Sequence, residues 1–365
     1  MILVLVSLAA LGLAYANGAN DNSKGVATLF GTGTASYRGA LAWATICTFA
    51  GSMTAISLAG RLVDTFRGQG LVDEAALLDP AFPMAVGLGA AATVMLATRF
   101  GLPVSTTHAL TGALVGAGLA STGSVHLAAL GSGFVVPLLV SPFVAFAGTL
   151  ALYPMLHKCR IGLGVTRESC LCVGEQVQVI AREGIATAVA CGPQVEVGTR
   201  AECFDRYRGR VAGIGAQTTL DRLHFLSAGA VSFARGINDT PKIAVLIFAG
   251  VALPRSMGLL LVGIAIALGG ILHARRVTET MSHRITAMNH GQGFTANLVT
   301  AFLVIFASRW GLPVSTTHVS CGSLFGIGMA TRLARRRTIL GILSAWAITL
   351  PVAALLAMGV CLLTR

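Results

Sequence analysis

The strings ATRFGLPVSTTH (residues 97–108) and ASRWGLPVSTTH (residues 307–318) agree at ten of twelve positions. A chain that carries such a string twice is built from two copies of one unit. Two further matches fall in the same order. GANDNSK (18–24) answers GINDTPK (236–242), with the shared pattern G-x-N-D-x-x-K, and RLVDT (61–65) answers RVTET (276–280) more weakly. The units are predicted at 1–153 and 223–365. Between them, 154–222 reads as an insert, richer in Gly, Glu and Arg, with short alternating stretches such as VEV that predict a little β-structure.

Hydropathy sets the solvent. Of 365 residues, 55% are hydrophobic and 11% charged, against about 25% charged in soluble domains. The mean hydropathy is +0.78. Apolar runs at 40–60, 127–153, 257–273 and 338–363 are long enough to cross a bilayer. The fold class is therefore an all-α polytopic membrane protein, multi-pass in the cell (inner) membrane. The spans number about ten to twelve, because re-entrant pieces and short spans look alike. The net charge of +12 does not signal nucleic acid, since most of the arginines sit in connectors, where membrane topology explains them.

Charge asymmetry orients the copies. The connector TRLARRR (331–337) holds four arginines, while its counterpart STGSVH (121–126) holds none. Basic connectors stay in the cytoplasm, so these equivalent connectors are predicted on opposite sides. Lys158 and Arg160 place the insert in the cytoplasm as well. The repeats are then inverted, as in many secondary transporters. Five cysteines (Cys159, Cys170, Cys172, Cys191, Cys203) fall in the insert. In a cytoplasmic loop they are expected as reduced thiols.

Helix interruption is also predicted. Residues 2–16 and 25–33 are each too short to cross about 30 Å of hydrocarbon alone, which suits a helix broken at the first motif. Pro241 predicts the same break in the second.

Outside the insert and the polar linker 67–82, the acidic residues are Asp21, Asp64, Asp239 and Glu279, two repeat-related pairs. The chain has three lysines, and two of them, Lys24 and Lys242, occupy the same motif position. Ionisable groups at membrane depth are functional by default. Two readings stand for the lysines: contact with a ligand, or pairing with aspartate to hold a broken helix. In PVSTTH, proline suits a helix start. Ser105, Thr106 and Thr107, and Ser315, Thr316 and Thr317, then lie in first turns, where free N–H groups favour oxyanions. Simple N-capping needs one hydroxyl, not three. His108 and His318 read as structural, without metal-ligand spacing, and Arg99 and Arg309 as interface markers.

These motifs resemble the inorganic phosphate transporter (PiT) family, which also includes sulfate permeases. The resemblance covers both halves and not the insert. It implies an inverted-repeat secondary transporter, importing inorganic phosphate by symport with Na+ or H+, sometimes as a metal–phosphate complex. It implies no enzyme activity and no cofactor beyond the coupling ion. Carried over by motif, Asn20, Asp21, Asn238 and Asp239 hold the cation (Na+ at most, as metal) and contribute to phosphate, and the two hydroxyl triplets bind phosphate. The partners are phosphate, the coupling cation and the lipid bilayer, with a homodimer as one assembly. A cation beside each aspartate would make cation and phosphate binding interdependent. Protonated phosphate can also donate a hydrogen bond to a carboxylate, which sulfate cannot. A sulfate or other oxyanion permease and a passive anion channel are the rivals. A Ser/His/Asp hydrolase has no need of two near-identical nucleophile sets.

Overall fold

The computed structural model describes residues 2–68, 70–182, 185–199, 201, 207–208, 214–250 and 253–364. The first copy holds α1 (Ile2–Asp21), the short α2 (Ala27–Gly31), α3 (Tyr37–Phe66), α4 (Ala81–Arg99), α5 (Thr106–Thr122) and α6 (Leu127–Gly162). The second holds α7 (Ala216–Gly250), α8 (Arg255–His273), α9 (His290–Arg309), α10 (Thr316–Thr331) and α11 (Arg336–Leu363). Among the described residues, six helices (α1, α4, α6, α8, α9 and α11) are long and apolar enough to cross a membrane. Their apolar side chains remain exposed on the outer faces, as at Phe143, Phe302 and Leu355, which is the pattern of a surface facing lipid rather than water.

The copies interlock. α1 packs on α8 of the other copy, and α7, its counterpart, packs on α3. In the same way α5 packs on α11 and α10 packs on α6. Glycines at equivalent positions make the last two crossings close. A Cβ on Gly112 would lie 2.2 Å from the Leu350 carbonyl oxygen, and one on Gly322 would lie 2.4 Å from that of Pro142. Helices in lipid gain little from apolar burial against each other, so such backbone-to-backbone approach supplies the packing.

The weak RLVDT/RVTET match has a structural meaning. In each copy the segment braces the GLPV turn of the other. Thr65 donates to the Gly311 carbonyl at 3.3 Å, and Arg276 donates to the Arg99 carbonyl at 2.5 Å, beside Gly101. Gly101 and Gly311 have φ of +68° and +75°, a conformation that glycine adopts without steric cost. Asp64 and Glu279 are not buried. They face solvent beside Arg67 and Arg275 respectively.

The break expected at the first motif is present: α1 runs past residue 16 through Asn20 and Asp21 and breaks at 22–26. The second motif is not broken at all. α7 continues through Asn238, Asp239 and Pro241. Pro241 removes one helical donor, a loss that a helix packed among other helices tolerates. The insert holds more β-structure than VEV suggests: β1 (Ser169–Arg182) pairs antiparallel with β2 (Ile185–Thr199). Cys172 is disulfide-bonded rather than a free thiol, while Cys159 and Cys170 are free.

Candidate functional site

The site grows from four chain segments that meet at one place. The first is the end of α1, where the helix stops and exposes its last turn. The second is the matching stretch of α7. The third and fourth are the starts of α5 and α10. Each of these starts is fixed locally: the Ser105 hydroxyl accepts from the His108 N–H at 3.0 Å, and Ser315 accepts from His318 at 3.2 Å. The serines of the two triplets are thus N-caps. The extended residues just before them present carbonyls inward, because no helix yet uses them.

The asparagines bind these extended segments. Asn20 donates to the Leu102 carbonyl at 3.0 Å and to Thr98 at 2.9 Å, and accepts from the Val104 N–H at 3.1 Å. Asn238 donates to the Val314 carbonyl at 3.3 Å and accepts from Ser308 at 3.0 Å. Thr98 and Ser308 are equivalent positions of the repeat, so each asparagine ties its extended segment to a matching hydroxyl, with the hydrogen-bond direction reversed between the copies. The carboxylates receive the middle threonines: Thr106 donates to Asp21 at 3.4 Å and Thr316 to Asp239 at 3.5 Å.

The lysines cross the copies. Lys24 donates to Asp21, to the Val104 carbonyl at 3.0 Å, and to Thr317 of the second copy. Lys242 donates to Thr107 of the first copy at 2.9 Å and to the Val314 carbonyl at 2.7 Å, with Asp239 Oδ1 at 3.9 Å. Both sequence readings of the lysines therefore meet here. Lys24 is paired with Asp21, and each ammonium also sits among the hydroxyls expected to face an oxyanion.

Two residues that sequence reasoning missed complete the centre. Arg235 lies one helical turn before Asp239, its Nε 3.6 Å from Asp239 Oδ2. It also donates to Asn17 at 2.7 Å and to Asn22 at 3.0 Å. Asn17 in turn bridges the copies, with its amide nitrogen 3.1 Å from Asp21 Oδ2, 3.2 Å from Asp239 Oδ2 and 3.0 Å from Thr106. The i−4 spacing of Arg235 from Asp239 puts both on one face of α7, but arginine in this chain mostly marks connectors, so the spacing alone did not single it out. All of these side chains, from Asn17 to Thr317, are at most 4% exposed. Three cationic groups (Lys24, Arg235, Lys242) and two anionic ones (Asp21, Asp239) share the centre, a formal excess of one positive charge. His108 and His318 stand just behind, edge to face at 4.4 Å, with the His318 ring tilted against Trp346 at 3.8 Å. Among the described residues no cluster has the makeup of a metal site of His, Cys, Asp and Glu.

A family model described as the phosphate transporter family matches residues 17–357, from the bridging Asn17 to within α11. The chain belongs to that family. A relative in Rhizobium meliloti, named "Probable low-affinity inorganic phosphate transporter", is 30% identical over 97% of this chain and 94% of its own length. The chloroplastic inorganic phosphate transporter 2-1 of Arabidopsis thaliana is 27% identical over 94% of this chain and 69% of its own. A solved structure titled as the sodium-dependent phosphate transporter superposes with a TM-score of 0.77, covering 100% of this chain and 98% of that one, at 21% identity. That likeness concerns the fold. As a member of the phosphate transporter family, the chain is a multi-pass membrane transport protein and not an enzyme.

Proposed function

We propose that this protein imports inorganic phosphate by symport with a cation, binding phosphate where the starts of α5 and α10 meet Arg235, Lys24 and Lys242. The observation that carries the reading is the convergence of two helix N-termini and three cationic side chains on one buried point. Helix N-termini favour oxyanions, and a guanidinium matches phosphate with two parallel hydrogen bonds. Thr106, Thr107, Thr316 and Thr317 add hydroxyls on opposite sides.

Asp21 and Asp239 give the reading its selectivity and its coupling. A protonated phosphate can donate to a carboxylate, whereas sulfate has no proton to give and meets repulsion. The same carboxylates hold positive charge next to the anion, so cation and phosphate favour each other reciprocally. Access alternates by movement of one interlocked copy against the other, in the manner of inverted repeats. The deciding experiment is labelled phosphate uptake into proteoliposomes under imposed Na+ or H+ gradients, with sulfate and arsenate as competitors. Uphill accumulation blocked by arsenate and not by sulfate is expected. Downhill flux alone would make the protein a channel, and full competition by sulfate would make it a general oxyanion permease.

A further inference from the structure

Each lysine ammonium sits in a cage that has the chemistry of a sodium site. For Lys24 the oxygens are the Asp21 carboxylate, the Val104 carbonyl and the Thr317 hydroxyl. For Lys242 they are the Asp239 carboxylate, the Val314 carbonyl and the Thr107 hydroxyl. The two sets match type for type: one carboxylate from the G-x-N-D-x-x-K motif, one carbonyl of the unwound residue before a helix, and one threonine from the other copy. Unwound carbonyls beside half-helix ends are what coordinate Na+ in repeat transporters. Here each such place is filled by a positive charge attached to the chain.

We infer that Lys24 and Lys242 are tethered counterparts of coupling sodium ions, so that this transporter binds and carries phosphate without sodium. The inference rests on the phosphate-symport reading and narrows its coupling ion to the proton. An ammonium is compact, with three donors for three oxygens. A sodium ion placed in the same cage would meet it at contact distance, and like charges in a buried site repel strongly. The hydroxyls are already oriented for the ammonium, because Thr317 donates its own proton to the Val104 carbonyl at 2.7 Å and Thr107 donates to Val314 at 3.4 Å. The oxygens therefore point lone pairs at the lysine.

Lys24 lies against Asp21, while Arg235 and Lys242 lie against Asp239. Asp239 and the Cys321 thiol are within electrostatic range of Lys24, and Asp21 is within range of Lys242 and Arg235. Every carboxylate in the centre is thus engaged by an attached cation. The mobile cation that remains is the proton, which phosphate itself carries near neutral pH.

The test measures equilibrium binding of labelled phosphate to the purified full-length protein, in choline, K+ and Na+ buffers, together with uptake into proteoliposomes driven by a pH gradient without sodium. Wild-type affinity should change by less than about twofold between sodium and choline, since the linkage is absent. Stimulation of wild-type binding or uptake by sodium of about tenfold or more overturns the inference while leaving phosphate symport intact. Absence of phosphate binding in every buffer instead removes the underlying reading, and the inference with it. Lys24→Ala and Lys242→Ala supply a readout apart from transport. With a cage emptied, sodium should bind and raise the melting temperature of the variant, though it leaves wild type unmoved. Folded variants that ignore sodium, by thermal shift and by labelled sodium binding, would show that the cages are not sodium positions.

Discussion

Lys242, in the second copy, donates to the hydroxyl of Thr107, in the first, across 2.9 Å, and Lys24 returns the contact by donating to Thr317. The threonine that ends each triplet is thus tied to the motif of the other half. The two halves of the site cannot separate without breaking both contacts, which makes these threonines a direct probe of how the halves cooperate.

Thr107→Val and Thr317→Val keep volume and remove the hydroxyl. Each variant deprives an ammonium of one oxygen and the ligand pocket of one polar group. Losing a hydrogen bond to a charged group costs about 1.5–3 kcal/mol, roughly ten- to a hundredfold in affinity. Phosphate affinity is expected to fall by that factor, with the protein still present in the membrane. Ser105→Ala and Ser315→Ala, which remove caps, should instead lower the melting temperature with a smaller effect on affinity. Equal affinities for wild type and both valine variants would leave the triplets a structural role only.

Arg235 lies 3.6 Å from Asp239 and is 1% exposed. Arg235→Gln leaves Asp21 and Asp239 sharing a buried space with one cation fewer. Breaking a buried ion pair by removing one partner costs about 3–5 kcal/mol. The melting temperature should drop and phosphate binding should be lost. Adding Asp239→Asn restores the charge balance, so stability should recover while binding does not. Recovery of both would mean that Arg235 serves packing and not the anion.

Much of this arrangement was legible in the sequence, and its failures have physical causes. The duplication announced itself through GLPVSTTH because a turn with positive φ, a helix start and three hydroxyls tolerate few substitutions. Asn20, Asp21, Asn238 and Asp239 stood out because polar groups at membrane depth are expensive. Arg235 did not, because arginine in this chain mostly marks connectors. Its burial depends on Asn17, Asn22 and Thr48 arriving from α1, the turn after it and α3, a tertiary fact with no local signature. Asp64 and Glu279 misled in the opposite direction. They fit a repeat-related acidic pair, yet what the repeat preserves there is the brace on the facing GLPV turn. The break expected at Pro241 failed because a proline costs a helix one bond, whereas Asn22-Ser23 in the first motif opens a run of i→i+3 turns, as Lys24 N–H to Asp21 carbonyl at 3.0 Å and Val26 to Ser23 at 3.1 Å.

The crossing of α10 with α6 is a packing test. A side chain on Gly322 would lie 2.4 Å from the Pro142 carbonyl oxygen, and backbone cannot yield as a rotamer does. Gly322→Val should cost more than the about 1–3 kcal/mol of ordinary overpacking, read as lower detergent stability and reduced membrane yield. Gly341→Val, at a position with open space around the Cβ, should be neutral in the same assays.

Sidedness is open to direct measurement, and two observations pull on it. By the rule that basic connectors stay inside, the four arginines of 331–337 predict a cytoplasmic connector, and Lys158 and Arg160 predict the same for the insert. The bonded Cys172 would be more at home in an oxidising compartment. Single cysteines at 124 and 333, in a version with the native cysteines replaced, would be tested in intact cells with an impermeant thiol reagent. Labelling at 124 and protection at 333 are expected from inverted copies. The reverse pattern would turn the molecule over, and equal labelling at both would make the copies parallel.

The aspartates decide whether coupling resides where the charges meet. Asp21→Asn and Asp239→Asn preserve shape and delete one negative charge each. If Asp21 only holds Lys24 in place, Asp21→Asn strands a buried ammonium, and adding Lys24→Met should restore folding and uptake. If Asp21 couples the ions, the single variant stays in the membrane but loses uphill accumulation, and the double variant does not regain it. The coupling reading makes a second, reciprocal demand. Because linkage between two ligands is symmetric, any residual phosphate binding in the Asn variants should lose its dependence on the co-transported cation. Phosphate affinity measured against proton and sodium concentration, in wild type and in both variants, separates the cases. Full cation-driven accumulation in Asp21→Asn and Asp239→Asn would take coupling away from both residues. Asp64 and Glu279, which lie toward solvent beside Arg67 and Arg275, are poorly placed to inherit it, so coupling would then have to reside in the protonation of phosphate itself at the Arg235 site.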